Sequence, residues 1–176
     1  MSAKATLTIA CLLGLTAVLF GAFGAHGLSE ARAGKLSFLE KKYADVEPKI
    51  IVGHKVPAAY KYLQDYKTAV RYHMWHALLL FGLGCLATAQ PSRLLKVTSA
   101  VVAAGTIVFC GALYTLVIAG PKFGGITWGL VAPIGGSLLM VGWILAAISV
   151  SKLSVQATAQ QRQSDLKRPT KNGTAE

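Results

Sequence analysis

Charge is scarce in this chain. Only 14% of its 176 residues are Asp, Glu, Lys or Arg, against roughly a quarter in a soluble globular domain. The shortfall is concentrated. Residues 5–27, 72–92, 97–121 and 123–151 carry no formal charge. With no carboxylate in any of these stretches, the coupling group that proton- or cation-driven transport usually needs is missing. Cysteine is nearly absent as well. Cys11, Cys85 and Cys110 are odd in number, lie within uncharged stretches and match no metal-binding spacing, so they read as small packing residues. There is no nucleophile with its base, no phosphate loop and no carboxylate pair, so an enzyme is not expected.

What is present is apolar length. The chain is 53% hydrophobic with a mean hydropathy of +0.50. A bilayer core about 30 Å thick takes roughly 20 apolar residues as helix, and each uncharged stretch supplies that many. The expectation is an all-α integral membrane protein, a four-transmembrane-helix bundle. Its spans fall at about 5–27, 70–90, 97–119 and 124–149, within one membrane domain over 5–151. Residues 28–69 form a hydrophilic connection with short helices, and 152–176 a disordered basic tail too polar to bury a core. The first span has some signal-peptide character, with Lys4 ahead of it and Ala22-Phe23-Gly24 as a cleavage motif. Its apolar run exceeds the 7–15 residues of a signal core, so it is read as a retained helix.

The formal net charge is +11, which excludes less than it suggests. The basic residues sit in connections and tail, with no element able to read nucleic acid, so no nucleic-acid partner is expected. Anionic lipid headgroups are the simpler counterpart, and the bilayer is the expected partner. The side holding both termini has eight basic residues and the other side ten, so the count leaves orientation open. The basic tail following directly on the last span favours both termini in the cytosol. A bacterial source would place the chain in the cell (inner) membrane.

Small residues mark packing faces. Ala10, Gly14, Ala17, Gly21 and Gly24 recur at steps of 4, 3, 4 and 3 in the first span, as do Gly129, Ala132 and Gly136 in the fourth. Such faces allow close helix approach in lipid, where apolar burial gives no drive. A homo-oligomer or another membrane protein is a candidate to meet them. In the first connection, Ser37 to Glu40 reads as a capping box opening a short helix with Leu36, Leu39 and Tyr43 on one face. A helix starting after Pro57 should run straight into the second span. Gly120-Pro121-Lys122 closes a tight link between the last two.

Two features carry possible chemistry. His26 ends the first span, and His73 and His76 open the second. Antiparallel helices would bring His26 level with the pair, and with a third ligand two histidines three apart could hold zinc, copper or haem iron. The alternative is interfacial histidines bonded to carbonyls, headgroups or water, with Arg71, Tyr72 and Trp75 as an anchor and Trp128 and Trp143 in the same belt. No cofactor is specified by either. Pro133-Ile134-Gly135-Gly136 breaks the fourth span near its middle. It is a kink or, less simply, a substrate-binding interruption of the transporter kind.

Together these segments resemble a known family. Gly21-Ala22-Phe23-Gly24-Ala25-His26-Gly27-Leu28 closes the first span, Thr68 to His73 leads to His76-Ala77-Leu78, and Phe109 to Tyr114 and Pro133 to Gly136 follow in order. The pattern is similar to the small four-span proteins grouped with transmembrane protein 256, domain-of-unknown-function family 423. The matched positions include Gly21, Gly24, His26, Gly27, His76, Gly111, Tyr114, Pro133, Gly135 and Gly136. The resemblance implies four spans and a membrane location, and no activity or catalytic residue. The chain departs from the pattern at Cys110 and Ala112, where serines are usual, in a longer first connection, and in Trp128 to Val131. The expected function is a non-enzymatic accessory or assembly membrane protein. The alternatives are a small transporter or channel subunit acting around Pro133–Gly136, and a metal- or haem-binding membrane protein using His26, His73 and His76.

Overall fold

Ser2 starts the first helix by accepting a hydrogen bond from the Ala5 amide. In the computed structural model, which describes residues 1–28 and 36–167 and side chains only as far as 152, α1 (Ala3–Phe23) runs without interruption from that cap. Its small face is its inner face. Ala10 and Ala17 are buried while Leu12, Leu15, Val18 and Leu19 are exposed. This is the pattern of a helix packed through small residues with its branched side chains turned to lipid. A π-helical turn, Gly24–Leu28, ends it. Gly24 lies so close to the Tyr66 ring that a Cβ would come within 2.5 Å.

The first connection is built, not loose. Ser37 and Glu40 form the expected capping box at α2 (Phe38–Lys42), bonding each other's backbone amides. Those bonds to Ser37 hold the Glu40 carboxyl below its usual range. Leu39 and Tyr43 are buried, but Leu36 is exposed, so only two of the three residues assigned to the inner face face inwards. Between Pro48 and Pro57 the chain forms a hairpin of β1 (Lys49–Ile51) and β2 (His54–Val56), with Ile51 opposite His54. Its two-residue turn needs positive φ at both positions, and Val52 (47°) and Gly53 (80°) provide it.

Pro57 then precedes α3 (Ala58–Ala89), as expected. Its 32 residues span about 48 Å, more than the thickness of a bilayer core. Tyr43 packs on Tyr62 in its first two turns, with ring centroids 4.2 Å apart. Ser92 caps α4 (Arg93–Ile118) through the Leu95 amide. α2 reaches across to the far end of α4. The Tyr43 hydroxyl lies 2.8 Å from the Val117 carbonyl and 3.2 Å from that of Leu116, and the Lys42 ammonium bonds the Ile118 carbonyl. These are carbonyls that a helix end leaves without intrahelical partners.

The link after α4 is longer than the tight closure expected. β3 (Lys122–Phe123) pairs with β4 (Ile126–Thr127) around Gly124 and Gly125, both at positive φ. The last helix, α5 (Trp128–Lys167), therefore starts at 128 rather than 124. Pro133 is six residues into it and the helix is unbroken, so the proline segment lies near its beginning and not at mid-span. The helix also continues through what was read as disordered tail, to Lys167. Gln, Ala, Lys and Arg are good helix formers, and no proline or glycine intervenes until Pro169. Residues 168–176 lie outside the described residues.

The long helices pack mainly in chain order, α1 on α3, α3 on α4, α4 on α5. The closest seam is α4 with α5. A Cβ on Gly135 would lie 2.4 Å from the Phe109 amide nitrogen, one on Gly105 3.0 Å from that of Leu139, and one on Gly142 2.7 Å from a Val102 methyl. Ala132, Leu139, Ala146 and Ser149, with Gly135 and Gly142 between them, form a 3-and-4 stripe buried along α5. Of the expected face Gly129, Ala132 and Gly136, only Ala132 belongs to this stripe. The protein is thus mostly helical, and Ala3–Leu28, Arg93–Ile118 and Trp128–Lys152 are long and apolar enough to cross a membrane.

Candidate functional site

Two histidines are buried in the middle of the helices. His73 is 5% and His76 3% exposed. Their depth differs from the interfacial position expected. His73 Nε2 is 3.4 Å from the hydroxyl of Thr16, halfway along the apolar length of α1. The early start of α3 explains the difference, because nearly half of the helix, 58–71, precedes its uncharged part.

Both rings have a partner on each nitrogen, and the arrangement suits one neutral tautomer of each. Thr16 directs its only proton to the carbonyls of Leu12 and Leu13, so its oxygen accepts from His73 Nε2–H. His73 Nδ1 then accepts from the Tyr114 hydroxyl at 3.2 Å. His76 is the reverse. The Tyr72 carbonyl can only accept, so Nδ1 carries the proton at 2.7 Å. Nε2 accepts from the Trp143 indole N–H at 3.2 Å. His73 thus joins α3 to α1 and α4, and His76 joins α3 to α5. Trp143 keeps an exposed ring, 52% accessible, while its indole N–H turns inwards to His76.

The proposed metal set does not assemble. Thr16 marks the level of His73 on α1, and His26 lies ten residues further on, about 15 Å along a helix. The Tyr66 hydroxyl bonds the Phe20 carbonyl, and Tyr66 packs on Gly24. The end of α1 therefore meets α3 two turns before His73. His26 is exposed in the π turn and His54 in β2. Among the described residues no three of His, Cys, Asp and Glu gather where a metal could sit.

Pro133 to Gly136 serves packing. Gly135 admits the Phe109 backbone, Gly136 touches the Phe109 ring, and the Pro133 carbonyl accepts from Ser137. Gly21 and Gly24 pack on Val70 and Tyr66, and Gly27 on Phe23. Gly111 differs, because a Cβ there would meet nothing within 4 Å.

Beside the His76–Trp143 bond the surface is open. α3 and α5 both lean on α4 but hardly on each other, leaving a groove. Its upper part, about 830 Å³, is walled by Tyr72, Trp75 and His76 on one side and Pro133, Met140 and Trp143 on the other, with Phe109 as floor. A lower part of about 610 Å³ continues past Leu78 and Trp143 to Leu86 and Val150. Sequence reasoning found the histidines but not this groove, which exists only because two helices flank a third.

The chain is similar to curated membrane proteins over most of its length. It is 32% identical over 151 residues to UPF0382 membrane protein YwdK of Bacillus subtilis, covering 85% of this chain and 98% of that one. It is 26% identical over 162 residues to UPF0382 inner membrane protein YgdD of Escherichia coli K12, covering 92% and 100%. No solved structure matches. Residues 20–136 match the family described as "Protein of unknown function (DUF423)", and the chain belongs to that family of membrane proteins.

Proposed function

We propose, from membership of this family, that the chain is a four-span membrane protein without catalytic activity. It acts as an accessory or assembly component that holds another membrane component against its α3–α5 side. What supports α3 as the remaining span is its packing between α1 and α4, helices apolar enough to cross. Tyr72, His73, Trp75 and His76 dilute its hydropathy, and burial offsets the polarity of the two histidines. The relatives named as membrane or inner membrane proteins support a cell-membrane location. The basic tail favours both termini in the cytosol. The positive charge serves lipid headgroups rather than nucleic acid.

One observation carries the reading. The small-residue faces and both buried histidines are used up inside the bundle, whereas the groove beside them is open. A photo-crosslinking side chain at Leu78 or Met140, both exposed there, should yield one dominant adduct in native membranes. An indiscriminate spread of adducts from these sites would count against it. Solute flux in proteoliposomes, lost on Pro133→Ala, would replace it with the transporter reading.

A further inference from the structure

One face of α3 changes character along its length. Lys67, Arg71, Trp75, Leu78, Gly82 and Leu86 follow at steps of 4, 4, 3, 4 and 4, and so lie in a row. The lower four line the groove. The upper two are exposed cations with no hydrogen-bond or ion-pair partner among the described residues. The nearest acid on the helix, Asp65, is paired with Lys61. The Tyr72 hydroxyl at the top of the groove is likewise a donor without a partner among the described residues. The groove mouth therefore presents positive charge and hydrogen-bond donors, with no carboxylate.

The groove itself offers nothing polar. His76 and Trp143 spend their N–H groups on the Tyr72 carbonyl and on each other, and Ser137 bonds Pro133. A polar ligand at that depth would find no free donor. A hydrocarbon chain needs none.

We propose that the α3–α5 groove is a binding site for one anionic phospholipid. Lys67 and Arg71 hold the phosphate, and one acyl chain lies between the helices. The dimensions agree. Arg71 to Leu86 is fifteen residues, about 22 Å of helix, the length of an extended acyl chain. The Tyr72 ring packs on Phe109, nine residues before the end of α4, or about 13 Å. Lys67 stands one turn above Arg71 on α3, about 6 Å nearer that end, and the flexible Arg71 side chain extends upwards towards it. This inference rests on the proposed function and narrows the held component to a lipid.

The test is native mass spectrometry of the full chain in mild detergent. Phosphatidylglycerol or phosphatidylcholine with matched acyl chains is titrated in. Two cations contribute roughly fivefold each near an anionic group, so phosphatidylglycerol should bind about 25-fold more tightly. The K67Q/R71Q double variant should bring the two lipids level. Leu78→Trp, which fills the groove, should weaken both. Because Lys67 and Arg71 are exposed and have no hydrogen-bond or ion-pair partner among the described residues, the double variant should keep its fold, checked by an unchanged melting temperature. Equal affinity of the wild type for both lipids, or a preference that survives K67Q/R71Q, would overturn the proposal. A dominant protein adduct from Leu78 without lipid preference would also overturn it and leave the accessory reading standing. An indiscriminate spread of adducts would remove both.

Discussion

Gly135 and Gly111 make opposite demands, although both match the family pattern. Gly135 faces the Phe109 backbone at a distance no Cβ tolerates. Gly135→Ala should lower thermal stability in detergent by about 1–3 kcal/mol, since backbone cannot give way as a side chain can. Gly24→Ala, against the Tyr66 ring, should cost less. Gly111→Ala meets nothing and should be neutral or mildly stabilising, because alanine is the better helix former. Val52 is the reverse case, a β-branched residue at φ 47° and 93% exposed. Replacing it with Asn or Gly should raise stability by about 1 kcal/mol, the cost of holding it left-handed. The histidines offer a test without substitution. Nitrogen-15 shifts should show His73 protonated at Nε2 and His76 at Nδ1, and identical tautomers would contradict the two hydrogen-bond sets. The sequence marks these histidines as unusual in an apolar run. It could not give their depth, because helical spacing fixes a face but not where α3 enters the membrane.

At the scale of elements, α2 is held by a few contacts far from it in sequence. Tyr43→Phe removes the hydroxyl from the Leu116 and Val117 carbonyls and should cost about 1 kcal/mol. Faster amide exchange over 36–43 should accompany it. Burial raises the Tyr43 hydroxyl to about 12. The unfolded chain then loses its proton first as pH rises, so this part of the stability is complete below pH 10 and lost between 10 and 12. The Phe variant should lack that decline. The capping box and the start after Pro57 were legible because each has a local chemical cause. The hairpins were not. Val52 contradicts the turn it occupies, and Gly124-Gly125 signals a turn without announcing two-residue strands. The helical tail was missed because its polarity was weighed and its helix propensity was not.

For the whole molecule, the sequence shows which stretches are apolar and which faces are small, but not which faces meet. Gly129, Ala132 and Gly136 are the visible stripe, whereas Gly135 and Gly142, with Ala132, make the closer seam with Phe109 and Val102. That choice depends on residues of another helix. The groove is likewise a product of arrangement, and no local pattern encodes it. Cysteine accessibility checks the arrangement as a unit. Cys11 and Cys85 are exposed and Cys110 is buried. In mild detergent a small thiol reagent should label the first two, and Cys110 only after unfolding.

The contact between α2 and the end of α4 has a consequence for biogenesis. Tyr43 and Lys42 await carbonyls 73 to 76 residues later in the chain. At about 5–20 residues per second of synthesis, that is a delay of roughly 4–15 seconds. Through this interval α1 and α3 can already be paired while the connection between them has no place to dock. Its closure therefore reports that α4 has been inserted in the correct direction. A chain whose α4 entered upside down would present the other helix end and leave α2 undocked, accessible to the quality-control proteases of the membrane.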